Sequence, residues 1–170
     1  MDSIQQIAKD NTQVLNQLFD FLESLDPIQY LNSTQDHGSS LGAHVRHIIE
    51  HYQSVLTGIS NINYDARKRD LTIETSVSNA KYHIGLITAL LADVNADAEV
   101  SVICATNTEA RSPKVSSSLA RELVFLYSHT THHMAIIKLL SAAMGLKLDD
   151  SFGKAASTRV FESNVQSKLA

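Results

Sequence analysis

Apolar residues recur every three or four positions along four stretches of the chain, with polar residues between them. Residues at this spacing share one face of a helix, so the pattern is typical of amphipathic helices. It predicts helices over residues 3–24, 40–59 and 76–95, and a longer helix from about residue 118 to just before Gly145. Pro27 and Pro113 fall between these stretches. The pattern therefore predicts an all-α fold, arranged as an up-down four-helix bundle.

Two shorter features lie outside the predicted bundle helices. Residues 99–105 are rich in β-branched side chains, and Lys114-Val115-Ser116 follows across a turn, which predicts a small β-hairpin before the last bundle helix. A short helix is predicted near residues 155–162. Because 170 residues is an ordinary length for one domain, we expect residues 1–170 to form a single domain.

Composition and charge argue against several functional classes. The net charge is -4 with neutral histidines, and the basic residues are scattered rather than gathered on one face, which argues against nucleic-acid binding. No apolar run approaches the roughly twenty residues that span a membrane, and the polar amino terminus is unlike a secretory signal. We therefore expect a cytoplasmic protein without membrane contacts. The single cysteine, Cys104, excludes an internal disulfide and is interpreted as a small buried thiol.

The fourth predicted helix carries a histidine cluster in the stretch Ser128-His129-Thr130-Thr131-His132-His133. His129 and His133 are four residues apart and continue the apolar stripe, so their rings can point at a common centre inside the bundle, as in a two-histidine metal clamp. His132 lies one residue off this line and is a candidate flanking group. Glu122 faces inward two turns earlier, either to orient an imidazole or simply as an acid that favours the first turn of a helix.

The second predicted helix offers His44, His47 and His51, which occupy an arc of roughly sixty degrees beside the apolar stripe. His44 and His51 lie nearer the stripe and His47 lies on its polar margin, but any of the three could face the fourth helix. A divalent ion needs at least a third ligand besides a histidine pair. The two clusters therefore predict a metal site between the helices. A histidine-based pH switch and a set of unrelated imidazoles are the alternatives.

The stretch Ser40-Leu41-Gly42-Ala43-His44-Val45-Arg46-His47-Ile48, followed by the cluster on the fourth helix, resembles the DinB-like/YfiT-like superfamily. The resemblance implies a four-helix bundle in which one histidine of the second helix and an H-x-x-x-H pair of the fourth hold a divalent metal. It implies the ligands His47, His129 and His133, with His51 in reserve. Many relatives have Arg-Gly-Gln after the last of these, where this chain has Met134-Ala135-Ile136.

Relatives in this superfamily include bacillithiol transferases and the mycothiol-dependent maleylpyruvate isomerase. The resemblance therefore implies a metal-dependent S-transferase or hydrolase, with zinc or nickel as the cofactor and a low-molecular-weight thiol as a co-substrate. It also implies a homodimer that acts on a small molecule. The alternative is a metal-binding or dimerisation module without catalysis, linked to a stress response, in which a further histidine closes the fourth coordination position.

The polar loop at residues 63–70, together with Arg121-Glu122 and Phe152-Gly153, looks like a signature of one bacterial subgroup of this superfamily. Tyr64, Arg67 and Arg69 are its candidate substrate-binding residues, because a guanidinium matches a carboxylate in a bidentate fork. The alternative is a solvated loop whose charges pair among themselves and whose tyrosine only anchors it.

Overall fold

The computed structural model describes residues 3–32, 39–58, 60–109 and 112–169. This part of the chain is mostly helical and also contains a small sheet. The helices are α1 (Ser3–Glu23), α2 (Pro27–Leu31), α3 (Leu41–Thr57), α4 (Leu71–Thr75), α5 (Val77–Ala92), α6 (Leu119–Ala143) and α7 (Ala156–Leu169). The strands are β1 (Asn61–Asn63), β2 (Glu99–Ile103) and β3 (Lys114–Ser118).

Side-chain caps fix the starts of the two helices that carry the histidine clusters. Ser40 precedes α3 and accepts a hydrogen bond from the backbone N–H of Ala43, and Ser118 precedes α6 and accepts one from Arg121. Each cap satisfies one of the free N–H groups at a helix start. Helix α3 ends at Thr57, with Gly58 as its C-cap, two residues before the predicted end.

The four long helices pack along their apolar faces: α1 contacts α5 and α6, and α3 contacts the same two helices. One buried polar side chain links three of these helices through hydrogen bonds, which offset the cost of its burial. Asn11 of α1 accepts a hydrogen bond from the Tyr52 hydroxyl of α3 at 2.6 Å and donates one to the Leu123 carbonyl of α6 at 3.0 Å. The fully buried apolar side chains include Leu15, Leu18, Leu22, Leu41, Ile48, Ile49, Leu126 and Ile137.

The three strands form one sheet in the order β1-β2-β3. The predicted hairpin is confirmed, since β2 and β3 pair antiparallel with Val102 opposite Val115. The parallel strand β1 and the helices α2 and α4 were not predicted. At three and five residues they are too short to show a periodic pattern. Part of the polar stretch predicted between the first two long helices, residues 33–38, lies outside the described residues.

The segment after α6 is anchored to the long helices before α7 begins. The Phe152 ring lies 5.3 Å from the Phe21 ring of α1, and the backbone of Gly153 passes directly over α6 at Ala135. The helix predicted over residues 155–162 exists but extends to Leu169. Its Phe161 side chain is exposed. No helix among the described residues combines the length and the apolar character needed to cross a membrane.

Candidate metal centre

Five histidine rings meet where α3 lies against α6. His44, His47 and His51 follow one another along one side of α3, and His129 and His133 lie one turn apart on α6. The ring centroids of His47 and His129 are 5.0 Å apart, and those of His51 and His129 are 4.3 Å apart. The histidines that the sequence placed in two separate clusters therefore form one site.

Three of these imidazoles are close enough to share one ion. A ring nitrogen from each of His47, His51 and His129 lies within 4.8 Å of the other two. Nitrogens bound to one tetrahedral zinc ion would be roughly 3.4 Å apart, because each Zn–N bond is about 2.0–2.1 Å long. Small side-chain rotations would close this difference. The family resemblance implied the ligands His47, His129 and His133, with His51 in reserve, whereas the close group contains His51 in place of His133.

The hydrogen bonds of these rings leave nitrogens free for an ion. His51 Nδ1 lies 2.7 Å from the backbone carbonyl oxygen of His47, so Nδ1 carries the proton and Nε2 keeps its lone pair. The Nε2 atom of His129 is buried and has no hydrogen-bond partner within the described residues. A buried polar atom without a partner is costly, and coordination to a metal would remove that cost. The donor set therefore fits a divalent metal.

His133 lies at the edge of this group of three. Its ring centroid is 4.5 Å from that of His47 and 4.6 Å from that of His129. Its Nδ1 atom is 3.1 Å from Nδ1 of His44, so one of the two donates a hydrogen bond to the other. The exposed His132 has a ring contact with His133, with centroids 5.4 Å apart. His44 and His132 thus flank the predicted ligand His133.

The cluster favours neutral imidazoles, which is the form that binds metals. Burial, together with the charges of neighbouring histidines, lowers the pKa of His47, His51 and His133 from 6.5 to about 3. Burial also lowers the pKa of His44 and His129. At neutral pH the rings are therefore uncharged and can act as ligands without first losing a proton.

Two aromatic rings hold the imidazoles in place from behind. The Tyr64 ring stacks on His51 and the Phe125 ring stacks on His129, each with centroids 5.3 Å apart. Tyr64 and Phe125 also meet edge to face at 5.5 Å. This packing restricts the ring planes of two of the three close imidazoles. The sequence pattern gave Phe125 no role beyond that of an apolar residue.

Glu122 is buried, as its inward position predicted, but its hydrogen bonds lead away from the histidines. Its carboxylate accepts hydrogen bonds from the Tyr64 hydroxyl at 2.7 Å, from the Ser117 hydroxyl at 2.6 Å and from Arg121 at 3.0 Å. Burial and this carboxylate both raise the pKa of Tyr64. Glu122 therefore positions Tyr64, and through Tyr64 the ring of His51. Tyr64 itself is 4% exposed, and its hydroxyl is occupied by this hydrogen bond.

The loop at residues 63–70 is tied to the rest of the protein at both ends. Near its start, the Asp65 carboxylate accepts hydrogen bonds from the Ala105 backbone and the Ser112 hydroxyl. At its end, the Asp70 backbone N–H donates to Glu50 of α3 at 2.7 Å. The Asp65 carboxylate and the Asp70 backbone thus bond to groups outside the loop. Glu50 was not predicted, although it lies one helical turn after His47.

Arg67 and Arg69 lie in different surroundings. Arg67 is largely buried, donates a hydrogen bond to the Tyr64 carbonyl, and has its Nε atom 3.9 Å from the buried Glu50 carboxylate. Its charge contributes to lowering the pKa of His47, His51 and His129. Arg69 is exposed, with a φ of 51°. Only Arg67 is therefore part of the surroundings of the histidine cluster.

The lone cysteine lies outside this site. Cys104 is exposed just after the end of β2, so the predicted buried thiol is wrong. The buried side chains of β2 are Val100 and Val102. Side chains alternate between the two faces of a strand, so a longer strand would also have turned residue 104 inward. Cys104 follows the last strand residue and is not held in that alternation.

Together, the helices and the histidine cluster define a helical protein with a candidate metal centre between two of its long helices. Residues 1–148 match the DinB family, and the chain belongs to that family. The match ends before Phe152 and α7. Among curated proteins, FK506-binding protein 5 of Rhizopus delemar is 31% identical over 107 residues, which cover 60% of this chain and 28% of that protein. The chain thus spans less than a third of the length of that relative. No solved structure gives a significant match.

Proposed function

We propose that the protein is a metal-dependent enzyme of the S-transferase or hydrolase type, with an imidazole-bound divalent ion at its centre. The observation that carries this proposal is the approach of His47, His51 and His129 to within 4.8 Å at their ring nitrogens. Membership of the DinB family supports the same reading. Zinc or nickel suits such imidazole ligands. The pairwise packing of the four long helices supports an up-down four-helix bundle around the site.

The proposed ligands are His47, His129 and one further imidazole. The family resemblance favours His133 as the third ligand, whereas the nitrogen spacing favours His51. His51 also has a fixed tautomer, with Nε2 free, while His133 shares its Nδ1 with His44. We therefore assign His51 to the third position and His133 to the rim of the site.

Three imidazoles leave a coordination position open. A divalent ion held by these imidazoles would act as a Lewis acid and would lower the pKa of a thiol or water bound at the open position. The protein's own contribution is to hold the imidazoles neutral by burial and to restrict their planes through Tyr64 and Phe125. Action on a small molecule together with a low-molecular-weight thiol, as a cytoplasmic homodimer, remains part of the proposal.

The second candidate function is a metal-binding module without catalysis. The position of His133 favours it, since its ring lies as close to His47 and His129 as theirs lie to each other. Four imidazoles on one ion would close the coordination sphere, as in structural zinc sites. Such a protein would bind metal tightly but would take neither thiol nor water as a further ligand.

The two functions can be separated with cobalt in place of the native metal. Cobalt(II) reports a coordinated thiolate through an intense sulfur-to-metal absorption band. The proposed enzyme would show this band when a small thiol is added to protein with one cobalt per chain, and a closed site would not. His129→Ala protein, treated in the same way, serves as the control for cobalt bound elsewhere. Failure to bind any divalent ion would contradict both functions.

A further inference from the structure

Arg67 lies beside the histidine cluster with hydrogen-bond donors that the protein leaves unused. One terminal nitrogen donates to the Tyr64 carbonyl, and the Tyr64 ring stacks on His51. The Nε atom is buried and has no hydrogen-bond partner among the described residues. Because a guanidinium carries five N–H donors, several remain for a ligand. An unpaired buried donor on a charged group is costly, so its retention needs a reason.

The charges around the cluster call for an anion. The neutral imidazoles bring no charge, and the Glu50 carboxylate roughly balances the Arg67 guanidinium at a distance of 3.9 Å. Asp65 and Arg69, which carry opposite charges, also act on Arg67. A Glu50 oxygen is already used by the Asp70 backbone N–H. A divalent ion on the histidines would therefore leave the site with a net positive charge in a half-buried setting. Such a charge is stable only when an anion accompanies it.

Arg67 is also reachable by a ligand. It lines an open groove of about 390 Å³ whose other walls include Glu50, Asn63, Lys68 and His83. The volume is within the range of small-molecule sites. Most of the lining residues carry a polar or charged side chain, which offers hydrogen-bond partners to a polar ligand. Arg67 thus borders both the groove and the histidine cluster.

We propose that Arg67 binds a carboxylate of the co-substrate, so that the site selects thiols carrying a carboxylate over neutral thiols. The thiol group of this ligand is taken from the proposed function, on which the inference rests. Its carboxylate is inferred from Arg67 alone. A guanidinium pairs with a carboxylate through two parallel hydrogen bonds, which a lysine cannot reproduce. Arg67 lines the open groove and borders the cluster, whereas Arg69 on the same loop is exposed and supplies a matched control.

The test compares two thiols that differ only in charge, β-mercaptopropionate and its amide. Their dissociation constants are measured on cobalt-loaded protein from the sulfur-to-cobalt band. We expect the wild-type protein to prefer the carboxylate by about tenfold or more, as a charge-assisted pair allows. Arg67→Gln should lose this preference, so that its dissociation constants for the carboxylate and the amide become similar. Arg67→Lys should keep a reduced preference, and Arg69→Gln should keep the whole of it.

A second measurement needs neither metal nor thiol. Propionate is titrated into metal-free protein while the Arg67 Nε–H resonance is followed in a proton–nitrogen correlation spectrum, assigned by its absence in Arg67→Gln. A saturable shift supports the carboxylate site even if no thiol binds to cobalt. Absence of thiol binding would contradict only the thiol part of the proposed function. An unchanged resonance, or an undiminished thiol preference in folded Arg67→Gln protein, overturns the inference.

Discussion

The Nδ1 atom of His51 lies 2.7 Å from the backbone carbonyl oxygen of His47, one helical turn earlier. A carbonyl can only accept, so this contact puts the proton on Nδ1 and leaves the Nε2 lone pair for a ligand. The same contact limits rotation of the ring. His133 is held differently, because its Nδ1 faces another imidazole rather than a carbonyl. The two candidate third ligands therefore differ in how firmly the protein orients them.

The first prediction concerns the residue with the buried, unpaired nitrogen. His129→Ala should lose the bound metal, because a ring nitrogen of His129 belongs to the close group and its buried Nε2 has no partner within the described residues. The neighbouring His132→Ala should keep the metal, since His132 is exposed and is not in the close group of three. Elemental mass spectrometry on untagged proteins would give the metal-to-chain ratio. Equal ratios in the two variants would contradict the assignment of His129 as a ligand.

The second prediction separates His51 from His133. His51→Ala should weaken metal binding by about a hundredfold or more, because the loss of a ligand costs at least as much as the loss of its supporting contacts. His133→Ala should weaken it by less than about tenfold. Competition with a chromophoric chelator would measure both affinities. A larger effect at His133 would instead support the ligand set that the family resemblance implies, His47, His129 and His133.

The third prediction concerns the pH dependence of metal-free protein. The folded-state pKa of His47, His51 and His133 is lowered to about 3, against an ordinary 6.5. Between these values the unfolded chain binds more protons than the folded one, so the free energy of unfolding must fall as the pH falls. The contribution of these neutral histidines to the free energy of unfolding is fully present above about pH 6.5 and is lost as the pH falls towards 3. Each histidine adds at most about 1.4 kcal/mol per pH unit.

Urea unfolding at a series of pH values, with chelator present, would measure this slope. A His47→Gln, His51→Gln double variant should show a shallower slope, since it lacks two of the titrating groups. Should the wild-type stability stay constant between pH 6.5 and 4.5, burial would not be holding these imidazoles neutral.

The long helices could be predicted because each repeats its apolar spacing over several turns. Helix α4 and strand β1 span five and three residues and carry no such repeat. Their formation depends on tertiary contacts, such as the parallel pairing of Ile62 with Val102. Pairing partners some forty residues apart cannot be recognised from local spacing.

The candidate site was predictable only to the level of helix faces. Spacing indicated that His129 and His133 share a face, and that His44, His47 and His51 occupy one arc. It could not indicate which ring nitrogens approach one another, because that depends on side-chain torsions and on contacts such as the His51–His47 hydrogen bond. The inward position of Glu122 was also readable, but its partners were not, since Tyr64 lies 58 residues away in sequence.

The fourth prediction concerns the anchor of the carboxyl-terminal segment. Gly153 has a φ of 69°, and a Cβ atom there would lie 2.4 Å from the Ala135 nitrogen and 2.7 Å from the Met134 carbonyl carbon of α6. Both obstacles are backbone atoms that cannot move aside cheaply. Gly153→Ala should therefore lower the free energy of unfolding by about 2–4 kcal/mol, through the left-handed backbone conformation and the overpacking together.

Gly145 is the matched control for this substitution. Its φ of 78° is also left-handed, but a Cβ atom there would meet nothing within 4 Å. Gly145→Ala should therefore cost only the conformational part, about 1 kcal/mol. Urea unfolding of both variants at one pH would give the difference. Equal costs would show that the segment containing Phe152 and Gly153 does not press on α6, whereas an excess cost at Gly153 measures that close packing directly.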